Sequence, residues 1–290
     1  MKRRMRGLLG FLLFATAGAS AETFFRLPSM LTLEYGVGED RLQTALANAV
    51  FSLRDNWQVD LGADQSRTQI DGDVITATGF RLGGGTDPLG IYSGRLSYET
   101  WRIPSHVRAH GLRVSGTYSP LSWLFTLEYI HQTIRISGLP ETEAPSGQAD
   151  VLDRGLVFRV STFAVSPWNF YFLTGSHSYD KDLVPYAEAF TTSSQPLPNS
   201  VLSTLSAIND SEMALGAAYF FKRFQVGAEL GHGISALDQV KTLYVELNGA
   251  YEFTRNFSAN TSVTSYKPVG DAQDTSASYL ATGGVTYFWR

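Results

Sequence analysis

The alternation of apolar and polar residues along the chain is the feature that most constrains the fold. From Lys241 to Phe253, every second residue is mostly apolar and the residues between them are mostly polar. The stretch from Phe224 to Ser235 repeats this pattern, with His232 as the exception on its apolar side. A period of two residues places successive side chains on opposite faces of a β-strand. These stretches are therefore predicted to be strands with one apolar and one polar face.

The strands predicted from this alternation are long, and they number fourteen. They cover residues 30–38, 42–53, 57–69, 73–84, 91–102, 107–118, 123–137, 152–165, 169–179, 212–221, 224–236, 240–254, 257–267 and 275–289. Strands in soluble domains average about five or six residues, whereas a tilted strand that crosses a membrane needs about 9–11. We therefore predict an all-β fold, a transmembrane antiparallel up-and-down β-barrel of about fourteen strands. Twelve strands is the alternative if the first two segments form a lid or one long strand, and a soluble periplasmic β-sandwich shares much of the composition.

Short and long connections alternate along the chain, which is typical of such barrels. Tight turns rich in Pro, Gly, Asn, Asp or paired charges follow the even-numbered segments, whereas the two longest connections, 138–151 and 180–211, follow odd-numbered ones. Bacterial barrels keep short turns on the periplasmic side and long loops on the other. The 32-residue connection 180–211 either folds into the mouth and constricts it or forms a polar surface loop, with a short helix near 200–208.

The N-terminus carries the features of a secretory signal peptide. A basic cluster within residues 2–6 precedes an apolar run from Gly7 to Gly18, and Ala19-Ser20-Ala21 forms a small-x-small cleavage site. The apolar run is too short to span a bilayer as a helix. We therefore predict a signal peptide over 1–21 and a single barrel domain over 22–290.

Composition excludes several classes of function. The chain has no cysteine, which removes disulfides, thiol chemistry and cysteine-based metal sites. Four of its 23 basic residues lie in the signal peptide, so the mature chain carries 19 basic against 27 acidic residues, a net charge of −8. This acidity argues against nucleic acid as a partner.

The C-terminus carries a short motif in Thr282, Gly284, Tyr287 and Trp289. A polar residue, a glycine and two spaced aromatics resemble the C-terminal recognition strand of bacterial outer-membrane β-barrels, although Arg290 follows the last aromatic here. The resemblance is to that class as a whole. It implies a place in the outer membrane of a Gram-negative bacterium, with outer-membrane lipid and the barrel-assembly machinery as partners.

Aromatic residues follow several of the tight turns and predict a girdle at one membrane surface. These residues are Trp57, Trp123, Trp168, Phe224 and Phe257. Amphipathic rings prefer the headgroup level of a bilayer, so a shared position after turns is what a girdle would give.

If the apolar faces meet lipid, the charged residues of the polar faces line the lumen. They are Arg81, Arg95, Arg113, Arg159, Glu34, Asp60, Glu128, Glu229, Glu246 and Glu252. In a closed ring of fourteen, the basic segments would lie opposite acidic ones, which resembles the constriction of diffusion porins. That resemblance implies a passive channel for small polar solutes. The alternative is an accessory barrel of envelope polysaccharide export, or a surface protein, whose paired charges fill the lumen.

A membrane-embedded hydrolase is the third hypothesis, although the main prediction is that the chain is not an enzyme. His177 lies between Ser176 and Ser178 and resembles the Ser/His context of outer-membrane phospholipases, but the Asn-Gly of that family is missing. Adjacent strand residues also point to opposite faces, so no catalytic residue is assigned. His106 and His110 would lie roughly 13 Å apart in a strand, too far for one ion, and we predict neither metal nor cofactor.

Overall fold

The computed structural model describes residues 28–39, 41–53, 56–70, 73–86, 91–104, 106–120, 122–137, 147–162, 167–186, 208–237, 239–269 and 277–289. The predicted signal peptide, Arg290 and all but the last residue of the helix predicted near 200–208 lie outside these ranges. Within them, no helix is both long enough and apolar enough to cross a membrane.

The described chain forms fourteen strands, each 10–15 residues long. They are β1 (Ser29–Gly38), β2 (Gln43–Ser52), β3 (Trp57–Ile70), β4 (Asp73–Thr86), β5 (Tyr92–Ile103), β6 (Val107–Tyr118), β7 (Trp123–Ser137), β8 (Gln148–Thr162), β9 (Trp168–Tyr179), β10 (Asn209–Phe221), β11 (Phe224–Ser235), β12 (Lys241–Thr254), β13 (Phe257–Val269) and β14 (Ser278–Trp289). All fourteen predicted segments are confirmed as strands. The twelve-strand alternative is wrong, because β1 and β2 are separate members of the ring.

The strands close into one antiparallel barrel in which every strand pairs with its neighbours in sequence. The ring is completed by β1 and β14, whose register places Ser29 opposite Trp289 and Glu34 opposite Gly284. Closure gives each strand two hydrogen-bonded neighbours and leaves no open edge, which is what a sheet surrounded by lipid requires. The soluble two-sheet sandwich is therefore excluded.

Apolar side chains cover the outside of the barrel through most of its height. Leu215, Leu230 and Leu247 are 58–61% exposed, whereas Asp60 on the inner face is fully buried. A soluble protein rarely exposes so continuous an apolar surface. This inverted arrangement identifies the fold as a transmembrane β-barrel of the Gram-negative outer-membrane type.

The two ends of the barrel differ in their connections. We call the end where β1 begins and β14 finishes the turn end, and the opposite end the loop end. At the turn end, Asn56 (φ 63°) and Lys222 (φ 52°) adopt left-handed backbone conformations in the tight β2–β3 and β10–β11 turns. The loop end carries the long β7–β8 and β9–β10 connections and also the short β1–β2 hairpin.

The alternation reverses phase at the loop end of β5–β8. On β8, Ala149 and Val151 are buried inside whereas Asp150 is exposed, and on β7 Ile134 is buried whereas Arg135 is exposed. Apolar residues inside and polar residues outside are the pattern of a water-soluble barrel. We infer that the apolar band in contact with acyl chains ends below this part of the wall.

The inward apolar residues at this end form what we call the loop-end cluster. Its buried members are Ala77, Ile103, Val107, Ala109, Ile134, Ile136, Ala149 and Val151 from the strands, and Leu183, Ile208, Ala236 and Leu237 from two connections. The alternation predicted polar inner faces, and this apolar cluster was not predicted.

Candidate functional site in the lumen

Charged side chains on the inner faces of β3–β7 form linked ion pairs, which we call the paired wall. Asp60 on β3 accepts a hydrogen bond from Arg95 on β5 and forms an ion pair with Arg81 on β4, whose Nε lies 3.1 Å from Oδ2. Arg95 reaches Asp60 across β4, where Gly83 is the direct partner of Asp60 and leaves the space open. Arg81 also donates to the side-chain oxygen of Asn48 at 3.2 Å.

Arg113 on β6 continues this network. Its Nε donates to Glu99 on β5 at 2.8 Å, and its Nη1 donates to Glu128 on β7 at 2.7 Å. The arginines at positions 81, 95 and 113 therefore have carboxylate partners within their own wall. The predicted basic wall is compensated locally, and Arg159 lies half-buried beyond it on β8.

The glutamates of β1 and β10–β12 have a different environment, and we call them the glutamate wall. Its members are Glu34, Glu212, Glu229, Glu246 and Glu252. Glu229 accepts hydrogen bonds from the hydroxyls of Tyr171 and Tyr244, and Glu246 accepts one from Thr264 at 3.1 Å. Neutral donors of this kind orient a carboxylate without cancelling its charge.

Register brings two of these glutamates side by side. Glu229 on β11 and Glu246 on β12 are direct cross-strand partners. Glu34 on β1 is the partner of Gly284 and accepts a hydrogen bond from Asn260 at 2.6 Å. Directly opposed like charges destabilise a sheet. Their presence on the inner face concentrates negative charge on this side of the ring.

Two tyrosines of the glutamate wall lie flat over glycines. A methyl group at Gly231 would approach Cζ of Tyr244 to 2.5 Å, and one at Gly216 would overlap the ring of Tyr171. The hydroxyls can reach Glu229 because these positions lack a side chain. Tyr171 and Tyr244 were missed by the sequence analysis, although inward glycines beside inward tyrosines are a readable signal.

The predicted charged residues thus divide between two regions of the ring. Arg81, Arg95, Asp60 and Glu128 belong to the paired wall, while β12, which carries Glu246 and Glu252, lies seven strands from β5. Most of these side chains contact a neighbouring polar side chain, and their part in solute passage stays a prediction.

His177 is buried and forms a polar group with Asp153 and Gln132 on the inner face. Its Nδ1 lies 2.9 Å from Oδ1 of Asp153, which also accepts a hydrogen bond from Gln132. Ser176 and Ser178 are exposed on the opposite face of β9. The two serines therefore lie on the other side of the sheet from His177, as the alternation of strand side chains predicts.

The predictions on metal and cofactor binding concern other histidines, His106 among them. His106 Nδ1 lies 2.9 Å from the Pro104 carbonyl oxygen. Across the described ranges, no three His, Asp or Glu side chains are grouped so as to hold a metal. The prediction that no cofactor is used stays a prediction.

The predicted girdle residues all lie at the turn end, because each begins an odd-numbered strand. Trp57, Trp123 and Trp168 are 47–54% exposed on the outside, and Phe224 and Phe257 are 37% exposed. Further exposed aromatics lie at this end, among them Tyr92, Tyr118, Phe221 and Phe253. Contact with the headgroup region remains the expectation from this placement.

The predicted assembly motif occupies the closing strand. Tyr287 and Trp289 face outward on β14 with ring centroids 6.0 Å apart, whereas Thr282 and Gly284 lie on the inner face. Its recognition by the assembly machinery stays a prediction.

Both ends of the β9–β10 connection are fixed inside the mouth. Leu183 is 2% exposed and Ile208 is 1% exposed, and both belong to the loop-end cluster. Tyr179 donates its hydroxyl to the Asn209 carbonyl at 2.9 Å, and the Ala236 amide donates to the Ile208 carbonyl at 2.8 Å. Residues 187–207 lie outside the described ranges, so the prediction about the whole connection is supported only for its ends.

Comparison with known proteins identifies the fold and no family. No family model matches the chain. No curated protein matches it either. Among solved structures, the CymD monoaromatic hydrocarbon channel is 9% identical, with 96% of this chain and 92% of that chain covered and a TM-score of 0.57. The outer membrane protein Omp33 of Acinetobacter baumannii is 7% identical, with 91% and 99% covered and a TM-score of 0.50. At such low identities the likeness establishes the outer-membrane barrel fold alone.

Proposed function

We propose that the protein is a passive, porin-like channel for small polar solutes. The observation that carries this proposal is the inverted barrel itself, in which lipid-facing leucines surround an inner face rich in charged and hydroxyl side chains. Eight-stranded barrels are filled by side chains and barrels of sixteen or more leave an aqueous channel, so a ring of fourteen lies nearer the open class. CymD, a channel for monoaromatic hydrocarbons, has a barrel of similar architecture.

Polar rather than apolar solutes fit the middle of the barrel. At this height the inner face presents the ion pairs of Arg113 and the hydroxyl-bound carboxylate of Glu229. Such groups exchange hydrogen bonds with a hydrated solute, whereas an apolar solute would have to displace their water.

A filled lumen is the second candidate, and it too has an observation in its favour. Asp60 and Asp153 are fully buried, and the loop-end cluster packs two connections against the inner wall. Side chains that complete their hydrogen bonds with one another leave less room for water. A barrel of this kind would serve polysaccharide export or another surface role without conducting ions.

Single-channel recording in planar bilayers separates these candidates. The mature protein is expected to give stepwise conductance that neutral oligosaccharides block according to their size. Protein that is folded, as judged by heat-modifiable electrophoretic mobility, but electrically silent would contradict the channel and favour the filled lumen. Unfolded protein at the same concentration is the control for detergent leaks.

The hydrolase hypothesis receives no support from the position of the serines, and we expect no lipid turnover. The assay is release of fatty acid from phospholipid by the reconstituted protein. Hydrolysis that His177→Ala abolishes, without loss of the folded form, would reverse this conclusion.

A further inference from the structure

We propose that the outer surface at the loop end binds the phosphate groups of membrane lipid through four arginines, which we call the arginine belt. Its members are Arg102 on β5, Arg108 on β6, Arg135 on β7 and Arg154 on β8. All four are exposed, and alternation places them on the outer face, opposite the loop-end cluster. This proposal does not depend on channel activity.

Register aligns three of these arginines in one row across the sheet. Arg102 is the direct cross-strand partner of Arg108, and Arg108 is the direct partner of Arg135. Neighbouring strands lie about 4.8 Å apart, so three guanidinium groups project from one short stretch of wall. Arg154 on β8 lies nearer the turn end than this row, because its partner on β7 is His131 whereas the partner of Arg135 is Asp150.

Most of this positive charge has no counter-charge among the residues that the structure describes. Arg135 forms two hydrogen bonds with Asp150, at 2.7 and 2.9 Å. Neither Arg108 nor Arg154 has an ion-pair partner among the described residues. Arg102 donates a 3.4 Å hydrogen bond from Nε to the neutral Thr78 hydroxyl. Like charges in direct opposition destabilise a sheet, and an anion held between them removes that cost.

The belt lies where the lipid-facing surface ends. On β8, Arg154 is two residues from the exposed Leu156, and on β6, Arg108 is four residues from the exposed Leu112 with His110 between them. The boundary between apolar and polar outer surface falls at the depth of lipid headgroups. Cations at this height meet headgroup phosphates before they meet bulk water.

Guanidinium chemistry suits this ligand better than other anions of the membrane surface. Arginine forms paired, charge-assisted hydrogen bonds with phosphate oxygens, and Arg102 and Arg108, side by side, can bind one phosphate group together. The mature chain is strongly acidic, so this local concentration of arginines runs against the charge of the molecule as a whole. We therefore assign the belt to a phosphorylated lipid in the leaflet at the loop end.

The test measures lipid retention by the folded, full-length mature protein in a neutral detergent. Native mass spectrometry would compare bis-phosphorylated lipid A, its dephosphorylated form and phosphatidylcholine. We expect lipid A to bind at least about tenfold more tightly than either, a difference of about 1.4 kcal/mol. Equal retention of the phosphorylated and dephosphorylated forms would overturn the proposal.

Variants locate the site. The triple change Arg102→Gln, Arg108→Gln and Arg154→Gln is expected to remove the preference for lipid A. The matched control is Lys241→Gln with Lys267→Gln, two exposed outward cations at the loop end of β12 and β13. A preference that survives the triple change, or one that the control removes equally, would contradict the assignment.

Free phosphate is the competing ligand. Inorganic phosphate at millimolar concentration is expected to leave bound lipid A in place. Displacement of the lipid by inorganic phosphate alone would show a general anion site and would overturn the lipid assignment. If the triple variant fails to fold, the comparison of the three lipids on the unchanged protein still decides the outcome.

Discussion

At the scale of single residues, the inner face depends on side chains that lie across a neighbouring strand. Tyr244 covers Gly231, Tyr171 covers Gly216, and both tyrosines bind Glu229. The absence of a side chain at each glycine is therefore part of how Glu229 is held. Similar room opposite Asp60 at Gly83 allows Arg95 to cross β4.

Replacement of Gly231 by alanine tests this arrangement. The added methyl would force the Tyr244 ring away from Glu229, and we expect a loss of about 1–3 kcal/mol in the free energy of unfolding. Gly116→Ala is the control, because nothing lies within 4 Å of that position, and it should be neutral or stabilising by roughly 0.5–1 kcal/mol. Urea titration in lipid vesicles measures both variants, and equal effects would contradict the packing argument.

Arg113 allows a second test at this scale. Arg113→Gln removes the cation shared by Glu99 and Glu128, and because these ion pairs are partly buried, the cost should fall below the about 3–5 kcal/mol of a fully buried pair. Arg135→Gln breaks an exposed pair of comparable geometry and should leave the unfolding midpoint almost unchanged. Similar losses from the two variants would show that water in the lumen screens the charge of Arg113 to the same extent as bulk water screens that of Arg135.

Alternation alone predicts the face of each of these residues but not its partner. It places Arg113 and Glu128 inside, and the contact between them depends on the β6–β7 register, which sequence spacing does not specify. The pairing of Asp60 with Arg95 spans two strands, so it could be foreseen only from a closed sheet with known registers.

At the scale of strands and connections, the loop end is built differently from the rest of the barrel. Predicted boundaries failed there, since β8 begins at Gln148 rather than 152 and β10 begins at Asn209 rather than 212. The physical reason on β8 is the reversed phase of the alternation, with Ala149 inside and Asp150 outside. A prediction that follows outward apolar residues therefore starts β8 too late, at the point where its outer face becomes apolar.

Anchoring of the β9–β10 connection is testable through Leu183. Leu183→Ala removes most of a fully buried side chain from the loop-end cluster, and the local cost should be about 2–5 kcal/mol. We expect faster proteolysis between β9 and β10 and, if the protein conducts, a larger or noisier single-channel current. Lys267→Ala, an exposed change on β13 away from the loop-end cluster, is the control. Unchanged cleavage in Leu183→Ala would contradict the anchoring.

At the scale of the whole molecule, charge is distributed unevenly around the lumen. The described inner faces of β10–β14, β1 and β2 carry the five glutamates of the glutamate wall and no Lys, Arg or His. The opposite side combines the four inward arginines with Asp60, Asp64, Glu99, Glu128 and Asp153. The inner face as a whole is therefore acidic.

This distribution predicts cation selectivity if the barrel conducts. A lumen lined mainly by carboxylates concentrates counter-ions, and we expect K⁺ to permeate at least about threefold better than Cl⁻ at low salt. Reversal potentials in a KCl gradient give this ratio. The double change Glu229→Gln and Glu246→Gln should lower it, whereas Glu39→Gln in the exposed β1–β2 hairpin should not. A preference for Cl⁻ would show that the arginines dominate the field.

Fold class and strand number were within reach of the sequence, because period-two alternation over segments this long is typical of strands that cross a membrane. The open or filled state of the lumen was not, since it depends on how Asp153, His177 and the loop-end cluster pack. Those contacts join residues far apart in sequence, and their spacing carries no periodic signal.

The pairing of Ser29 with Trp289 places the start of the first strand beside the end of the last strand. A short linker between them would therefore yield a circular permutant with the same ring of strands, reopened for instance at the Lys222–Arg223 turn. In that permutant the aromatic strand that now finishes the barrel would lie in the interior of the polypeptide. Closing the ring and presenting a terminal aromatic strand would become separable properties.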